Sequence, residues 1–501
     1  MILDLTPLQL LIAEHPASDF AFAFLALVFA FAAFRARRRP LAASGYLSAV
    51  ALALGLPMAA DPFLHPWDER FHALVARNLL AHPATPTLVD LPLGFASFDW
   101  TETHVWLHKP PLSLWLMAFS RAVFGPGELA LRLPSLILHA CAGFACARLG
   151  PELFGDDDRG RAIGYWAAFL LAANGEMLSL ASGRTPTDHP DATLIALTTI
   201  AGLAALRAAN EARDSGRKSL LLALVAGVLC GAAVLTKSFP GFTALGVLAV
   251  ALPWKARTGR SARLVLAAVL SCSAVALPWL IWARRTFPSE DAWEGRYALL
   301  HFSEALEGHA GNAFFHLTRI PRLFGETCPV ALCYFFYNRR ALVGSRGLTL
   351  WFVAPYVIFS LAATKIDAYP LVAMPAVEVM IAAVLVTFWQ SARAEATSAR
   401  ARLLMMIFCC TFVLLPVRFT VERWKPLARN SIERDRATGY KLLANALGPG
   451  PGLIVDVPDP ISAMFYTNWT ALGRPATAAE LAEARARGWQ IVYPALRSPG
   501  H

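Results

Sequence analysis

Residues 41–74 read LAASGYLSAVALALGLPMAADPFLHPWDERFHAL, an apolar run that breaks into polar chain at Asp61. About 20 apolar residues suit a helix that crosses a bilayer. Residues 103–119, THVWLHKPPLSLWLMAF, end the polar segment and return to apolar chain. These two polar pieces gather three acids, four histidines, Arg70 and Lys109 between apolar runs. Ionisable groups at a membrane face are costly to desolvate, so they mark a candidate functional site.

The rest of the chain supports a membrane reading. Of its 501 residues 56% are hydrophobic and 16% charged, against roughly 25% charged in soluble domains. Lys and Arg exceed Asp and Glu by 45 to 35. The excess falls mostly in short loops between apolar runs, so it sets orientation and does not point to nucleic acid. The eight cysteines lie mostly inside apolar runs and form neither a zinc pattern nor a disulfide framework. No Lys or Arg precedes Arg35, whereas Asp4, Glu14 and Asp19 do. The N-terminus is therefore not read as a cleavable signal peptide.

Hydropathy predicts about twelve spans, at 20–34, 41–60, 127–147, 163–181, 191–208, 219–236, 240–254, 264–282, 322–337, 348–363, 368–389 and 403–418. Five basic clusters, beginning at Arg35, Arg207, Lys255, Arg339 and Arg393, then fall on one side. By the positive-inside rule that side is cytoplasmic. The expected fold is an all-α polytopic membrane domain over 1–418, with large external loops at 61–126 and 284–321. A small extracytoplasmic α/β domain follows at 419–501. Its pattern predicts helices at 440–446 and 477–487 and strands at 453–457 and 490–493.

The candidate chemistry lies on the outer side. Asp68 and Glu69 follow the second span, and a carboxylate there serves as a base, holds a cation or favours a helix start. Lys109 precedes two prolines that open a helix at 112–124, which places its ammonium at headgroup level. Asp188 and Asp191 top the fifth span, and Lys237 and Lys365 end spans on the outer face. A lysine there either snorkels or holds an anion. The loop 284–321 carries His301, His309 and His316 at spacings too loose to define a metal site. No Walker-type loop is present, so no nucleotide is expected.

Taken in order, these motifs resemble a known family. Asp68-Glu69, Lys109-Pro110-Pro111-Leu112, Arg132-Leu133-Pro134-Ser135, Asp188, Leu235-Thr236-Lys237 and Lys365 through Tyr369-Pro370 follow one another. The series is similar to the bacterial aminoarabinose lipid A transferases and, more distantly, the protein O-mannosyltransferases, both C-type glycosyltransferases. The resemblance implies Asp68 at the catalytic acidic position, as the base that takes a proton from the acceptor, and Asp188 as a second acidic position, with Glu69 beside them and Asp191 as the substitute for Asp188. It implies Lys109 and Tyr369 at the donor phosphate, joined by Arg70, Lys365 and Lys237. It implies a metal-linked histidine at His309. This chain has His108 where the family has Glu, so His108 with His309 is the expected pair if a zinc or magnesium ion binds.

The expected activity is transfer of a sugar from a polyprenyl-phosphate carrier to a lipid, glycan or protein acceptor, with inversion. The expected setting is the periplasmic face of a bacterial inner membrane, with the protein acting as a monomer. The alternative is a transporter or flippase for a lipid-linked or anionic substrate, which requires ionisable groups at mid-membrane and access from both faces.

Overall fold

The computed structural model describes residues 3–94, 97–214, 216–338, 346–425, 431–448 and 450–494. In chain order the first half has α1 (Thr6–Glu14), α2 (Pro16–Arg35), α3 (Pro40–Ala59), α4 (Asp68–Asn78), α5 (Leu112–Phe124), α6 (Glu128–Phe154), α7 (Asp158–Ala172), α8 (Gly175–Ala181), α9 (Asp188–Glu211) and α10 (Gly216–Lys237). Then come α11 (Thr243–Ala251), α12 (Trp254–Thr286), α13 (Pro288–Ser303), α14 (Phe315–Phe324), α15 (Cys328–Tyr337), α16 (Arg346–Leu361), α17 (Met374–Arg393) and α18 (Ala399–Trp424).

Eight helices among the described residues are long and apolar enough to cross a membrane: 17–35, 40–59, 128–154, 188–211, 216–237, 254–286, 369–393 and 399–424. The protein is thus a mostly helical, multi-pass membrane protein. The other four predicted stretches are helical but shorter. The run at 163–181 is broken at Asn174, whose side chain accepts from Glu176 N and Met177 N and so caps a new helix, α8. Those at 240–254, 322–337 and 348–363 become α11, α15 and α16.

The predicted helix at 112–124 is observed as α5. The 284–321 stretch, read as a loop, departs from expectation. It continues α12, forms the whole of α13 and begins α14. No residue of α13 is fully buried, which is why no amphipathic pattern announced it.

The tail contains α19 (Ser431–Ala446), β1 (Gly452–Ile454), α20 (Pro460–Thr467), β2 (Thr470–Ala471), α21 (Ala478–Ala486) and β3 (Gln490–Val492). The strands pair in parallel in the order β2-β1-β3, with Leu453 opposite both Thr470 and Ile491. The strand β2 and the helix α20 were not foreseen from sequence. Leu74, Trp106 and Met117 pack in the same apolar cluster as Tyr440, Ile454 and Phe465. Ion pairs reinforce this seam: Lys441 Nζ lies 2.9 Å from Glu128 Oε1, and Arg70 Nη1 lies 2.8 Å from Asp459 Oδ2. The tail therefore seats on the same face as α4 and α5.

Candidate active site

Three helix ends meet here, and each carries a candidate residue beside a strained backbone. Trp67 precedes Asp68 at φ 71°, ψ −127°. Thr187 precedes Asp188 at φ 69°, ψ −16°. Ser238 follows Lys237 at φ 51°, ψ −131°. Non-glycine residues in such regions cost of order 1–3 kcal/mol each and concentrate at functional sites. Asp68 Oδ2 accepts from Thr187 N at 2.9 Å, which ties the start of α4 to the start of α9.

Beside these ends lies a cavity of about 160 Å3. His108, Lys109, Asp191, Lys237 and Tyr369 line it, five of the residues named from sequence. Lys237 Nζ sits 2.5 Å from Asp191 Oδ2 and 5.4 Å from the centre of the Tyr369 ring. Asp68 is close enough to act electrostatically on both Lys237 and Tyr369. Leu194, Phe239, Phe302 and Phe359 supply an apolar side. A compact cationic end against an apolar wall suits an amphiphilic anion.

Of the wall contributed by α13, sequence reasoning named His301 but missed Glu294 and Tyr297. Glu294, Tyr297 and His301 line the cavity at i, i+3 and i+7, the spacing of one helical face. That spacing was the available signal. Glu294 Oε2 lies 3.2 Å from His108 Nδ1, and His108 stacks on Trp100 with ring centres 4.6 Å apart. Burial, together with neighbouring Lys109, holds His108 well below its ordinary pKa. Burial pushes the Glu294 carboxyl up to about 8, against the pull of Lys109.

Asp188 and Glu69 are both buried, and in different ways. Asp188 Oδ1 contacts His72 Nδ1 at 2.8 Å, while Asp188 Oδ2 and His72 Nε2 find no hydrogen-bond partner among the described residues. Glu69 accepts from Arg132 Nε at 2.6 Å and Nη2 at 2.9 Å, and from His65 N at 2.6 Å. Its Oε1 also meets His189 Nε2 at 3.2 Å. Burial alone would raise the Glu69 carboxyl, but Arg132 overrides it and holds the group well below the usual range. Both Glu69 oxygens are occupied, so the geometry makes it an anchor for the start of α4.

Three of the expected residues do not line this cavity. Arg70 points to the tail, pairing with Asp459, and lines a separate groove. Lys365 folds back to donate to the carbonyls of Phe359, Ser360 and Ala362, capping α16. His309 is exposed, and its carbonyl accepts from Lys365 N. His108 meets Glu294 instead of His309. Among the described residues no three His, Cys, Asp or Glu side chains are arranged to hold a metal. The donor set does not fit the metal pair expected from sequence.

The fold has solved counterparts. ArnT from Cupriavidus metallidurans bound to undecaprenyl phosphate superposes with a TM-score of 0.63 at 17% identity, over 89% of this chain and 88% of that one. The Archaeoglobus fulgidus oligosaccharyltransferase in the apo form gives 0.57 at 13% identity, over 86% and 64%. The family described as dolichyl-phosphate-mannose-protein mannosyltransferase matches residues 108–282.

The chain resembles the C-type glycosyltransferases.

Sequence relatives agree. The undecaprenyl phosphate-α-4-amino-4-deoxy-L-arabinose arabinosyl transferase 1 of Pseudomonas fluorescens is 27% identical over 292 residues, 54% of this chain and 48% of the relative. The corresponding transferase of Pseudomonas savastanoi pv. phaseolicola is 25% identical over 362 residues, 70% and 62%. The chain spans about half the length of the first of these relatives. The resemblance read from the motif order at Asp68, Lys109, Asp188 and Lys237 therefore extends to the fold.

Proposed function

We propose that this protein is a membrane glycosyltransferase that moves a sugar from a polyprenyl-phosphate carrier to an acceptor hydroxyl. The observation that carries this reading is the pairing of Lys109 and Lys237 in one cavity with a phenylalanine-rich side. Two ammonium groups receive a phosphate, and Phe239, Phe302 and Phe359 receive the first prenyl units. The relatives named for undecaprenyl-phosphate sugars support the same donor class.

Asp68 takes the proton from the acceptor hydroxyl. The freed oxygen forms a bond to the anomeric carbon as the bond from that carbon to the phosphate oxygen breaks. Polyprenyl phosphate leaves as an anion that Lys109 and Lys237 stabilise. A single displacement inverts the anomeric centre. Asp188, fixed by His72, and Asp191, paired with Lys237, set the geometry of these groups.

In this reading residues 1–418 form the catalytic membrane domain, with the four shorter helices completing twelve crossings, and 419–501 form an extracytoplasmic module. The site faces the periplasm of a bacterial inner membrane, and the protein works as a monomer. A transporter would need its ionisable groups at mid-membrane. Here Asp68, Asp188 and Lys237 sit at helix ends, which favours the enzyme.

The test is transfer by purified protein in liposomes, with defined undecaprenyl-phosphate sugars and extracted envelope lipids as acceptors. Transfer that fails in Lys109→Ala at low donor and recovers at high donor supports the reading. Transport of the carrier without transfer, or accessibility labelling that places residues 68, 109 and 188 in the cytosol, overturns it.

A further inference from the structure

A second hollow opens at the start of α4. It is a groove of about 550 Å3 between the start of α4 and the tail. Trp67, Arg70 and Phe71 form one wall, and Asp459, Pro460 and Arg474 face them. It runs on into a neighbouring hollow of about 350 Å3 that shares Thr101, Glu102, Pro460 and Arg474.

Trp67 is the unusual member. Its side chain is 70% exposed, yet its backbone is held at φ 71°, ψ −127°. That conformation is costly for any residue but glycine. It persists because both flanks are fixed: His65 N donates to Glu69 on one side, and on the other Asp68 is held by Thr187 N and Arg70 by Asp459. An expensive backbone that presents an exposed indole directly before the candidate base points to a ligand for that indole.

The groove also communicates with the donor cavity through a line of rings. Phe71, in the groove wall, meets Trp100 with ring centres 4.9 Å apart. Trp100 stacks on His108 at 4.6 Å and 13°, and His108 lines the donor cavity. The groove thus begins one residue from Asp68 and reaches the donor cavity through this line of rings, as an acceptor site for the same reaction requires.

The lining selects among acceptors. An indole face takes the C–H face of a sugar ring, and arginine and carboxylate groups around it take hydroxyls. An extended peptide would instead seek a row of backbone donors and acceptors. Pro458 and Pro460 stand in this wall, and proline has no N–H to offer.

We propose that the groove between α4 and the tail is the acceptor subsite, that Trp67 is its stacking platform, and that the acceptor it takes is a carbohydrate ring. This rests on the glycosyltransferase reading and gives the tail a role as the second wall of the site.

The experiment is saturation-transfer NMR on the full-length protein in detergent, with chitobiose, maltose, lactose and a threonine-rich hexapeptide as probes. Trp67→Gly removes the indole and suits the backbone conformation, so it tests recognition without a folding penalty. At least one saccharide is expected to bind. Its affinity should fall tenfold or more in Trp67→Gly, fall several-fold in Arg474→Ala on the opposite wall, and stay within about threefold in Trp67→Phe. No saccharide binding, or equal binding in Trp67→Gly, overturns the proposal. Trp67-dependent capture of the hexapeptide alone also overturns it, and assigns the groove to a protein acceptor. Trp67-dependent saccharide binding without transfer from any undecaprenyl-phosphate sugar leaves the subsite standing and sinks the catalytic reading instead.

Discussion

Glu69 and Arg132 form a two-pronged ion pair, 2.6 Å and 2.9 Å, with both side chains fully shielded from solvent. The other guanidinium contacts go to the carbonyls of Ala59, Asp61 and Phe63. Arg132 thereby gathers the end of α3, the turn after it and the first turn of α4. Removing one partner of such a pair leaves the other buried and uncompensated, which costs about 3–5 kcal/mol. Glu69→Gln is expected to lower the thermal unfolding midpoint in detergent markedly, with activity falling in step with the folded fraction. A variant that is as stable as wild type but inactive would mean Glu69 acts on substrate.

Asp68, its immediate neighbour, has the opposite character. It is only partly buried, and the hydrogen bond from Thr187 N survives exchange of the carboxylate for an amide. Asp68→Asn should keep the wild-type unfolding midpoint and lose transfer by about 10²–10⁴-fold, the usual contribution of a general base. Turnover within tenfold of wild type in a liposome assay would remove Asp68 from the role of base.

Lys109 and Lys237 share one cavity, but only Lys237 has a carboxylate against it, Asp191 at 2.5 Å. Asp191→Asn frees a positive charge in that cavity. Donor KM is expected to fall or hold in Asp191→Asn, and to rise at least tenfold in Lys109→Ala. Lys109→Arg should recover part of the loss, because a guanidinium also grips phosphate. Equal donor KM in wild type and Lys109→Ala would move the phosphate elsewhere.

The sequence already held the order of the site but not its partners. Lys109, Asp191, Lys237 and Tyr369 were named from motif order, and they converge on one cavity. Each sits at a helix end or beside a proline, where local signals are strong. What escaped was pairing over long separations. Glu69 meets Arg132 63 residues away, and Arg70 reaches Asp459 in the tail. Lys365, expected at the phosphate, instead turns its ammonium back to carbonyls at the end of the preceding helix, α16. α13 was hidden because none of its residues is fully buried, so no apolar stripe marks it. In the tail the short strand β2, two residues long, is set by pairing with β1 and carries no pattern of its own.

Glu294 gives a pH prediction. Burial raises its folded pKa to about 8, from an ordinary 4.5. Below about pH 4.5 folded and unfolded chains are both protonated, and the contribution to stability is full. Between about 4.5 and 8 the unfolded chain has lost the proton that the folded one keeps, so stability falls as pH rises. Above about 8 the loss is complete. The difference in unfolding midpoint between wild type and Glu294→Gln should therefore move against wild type across this window. Donor KM in wild type should also climb near pH 8, as a second negative charge enters a phosphate cavity, and stay flat in Glu294→Gln. Parallel pH profiles for the two proteins would show that Glu294 is already ionised at neutral pH.

Trp67 ties stability to recognition. Its φ of 71° with ψ −127° lies in a region that glycine reaches freely and other residues reach at a cost of order 1–3 kcal/mol. Trp67 is mostly exposed, so replacing it removes little packing. Trp67→Gly is expected to keep or raise the unfolding midpoint, despite the greater backbone freedom of glycine in the unfolded chain. The same variant should show a higher acceptor KM with donor KM unchanged, the split expected when only one substrate contacts the lost side chain. A clear fall in stability would mean that the indole packs as a structural wedge, and a rise in donor KM alone would place it against the carrier and not the acceptor.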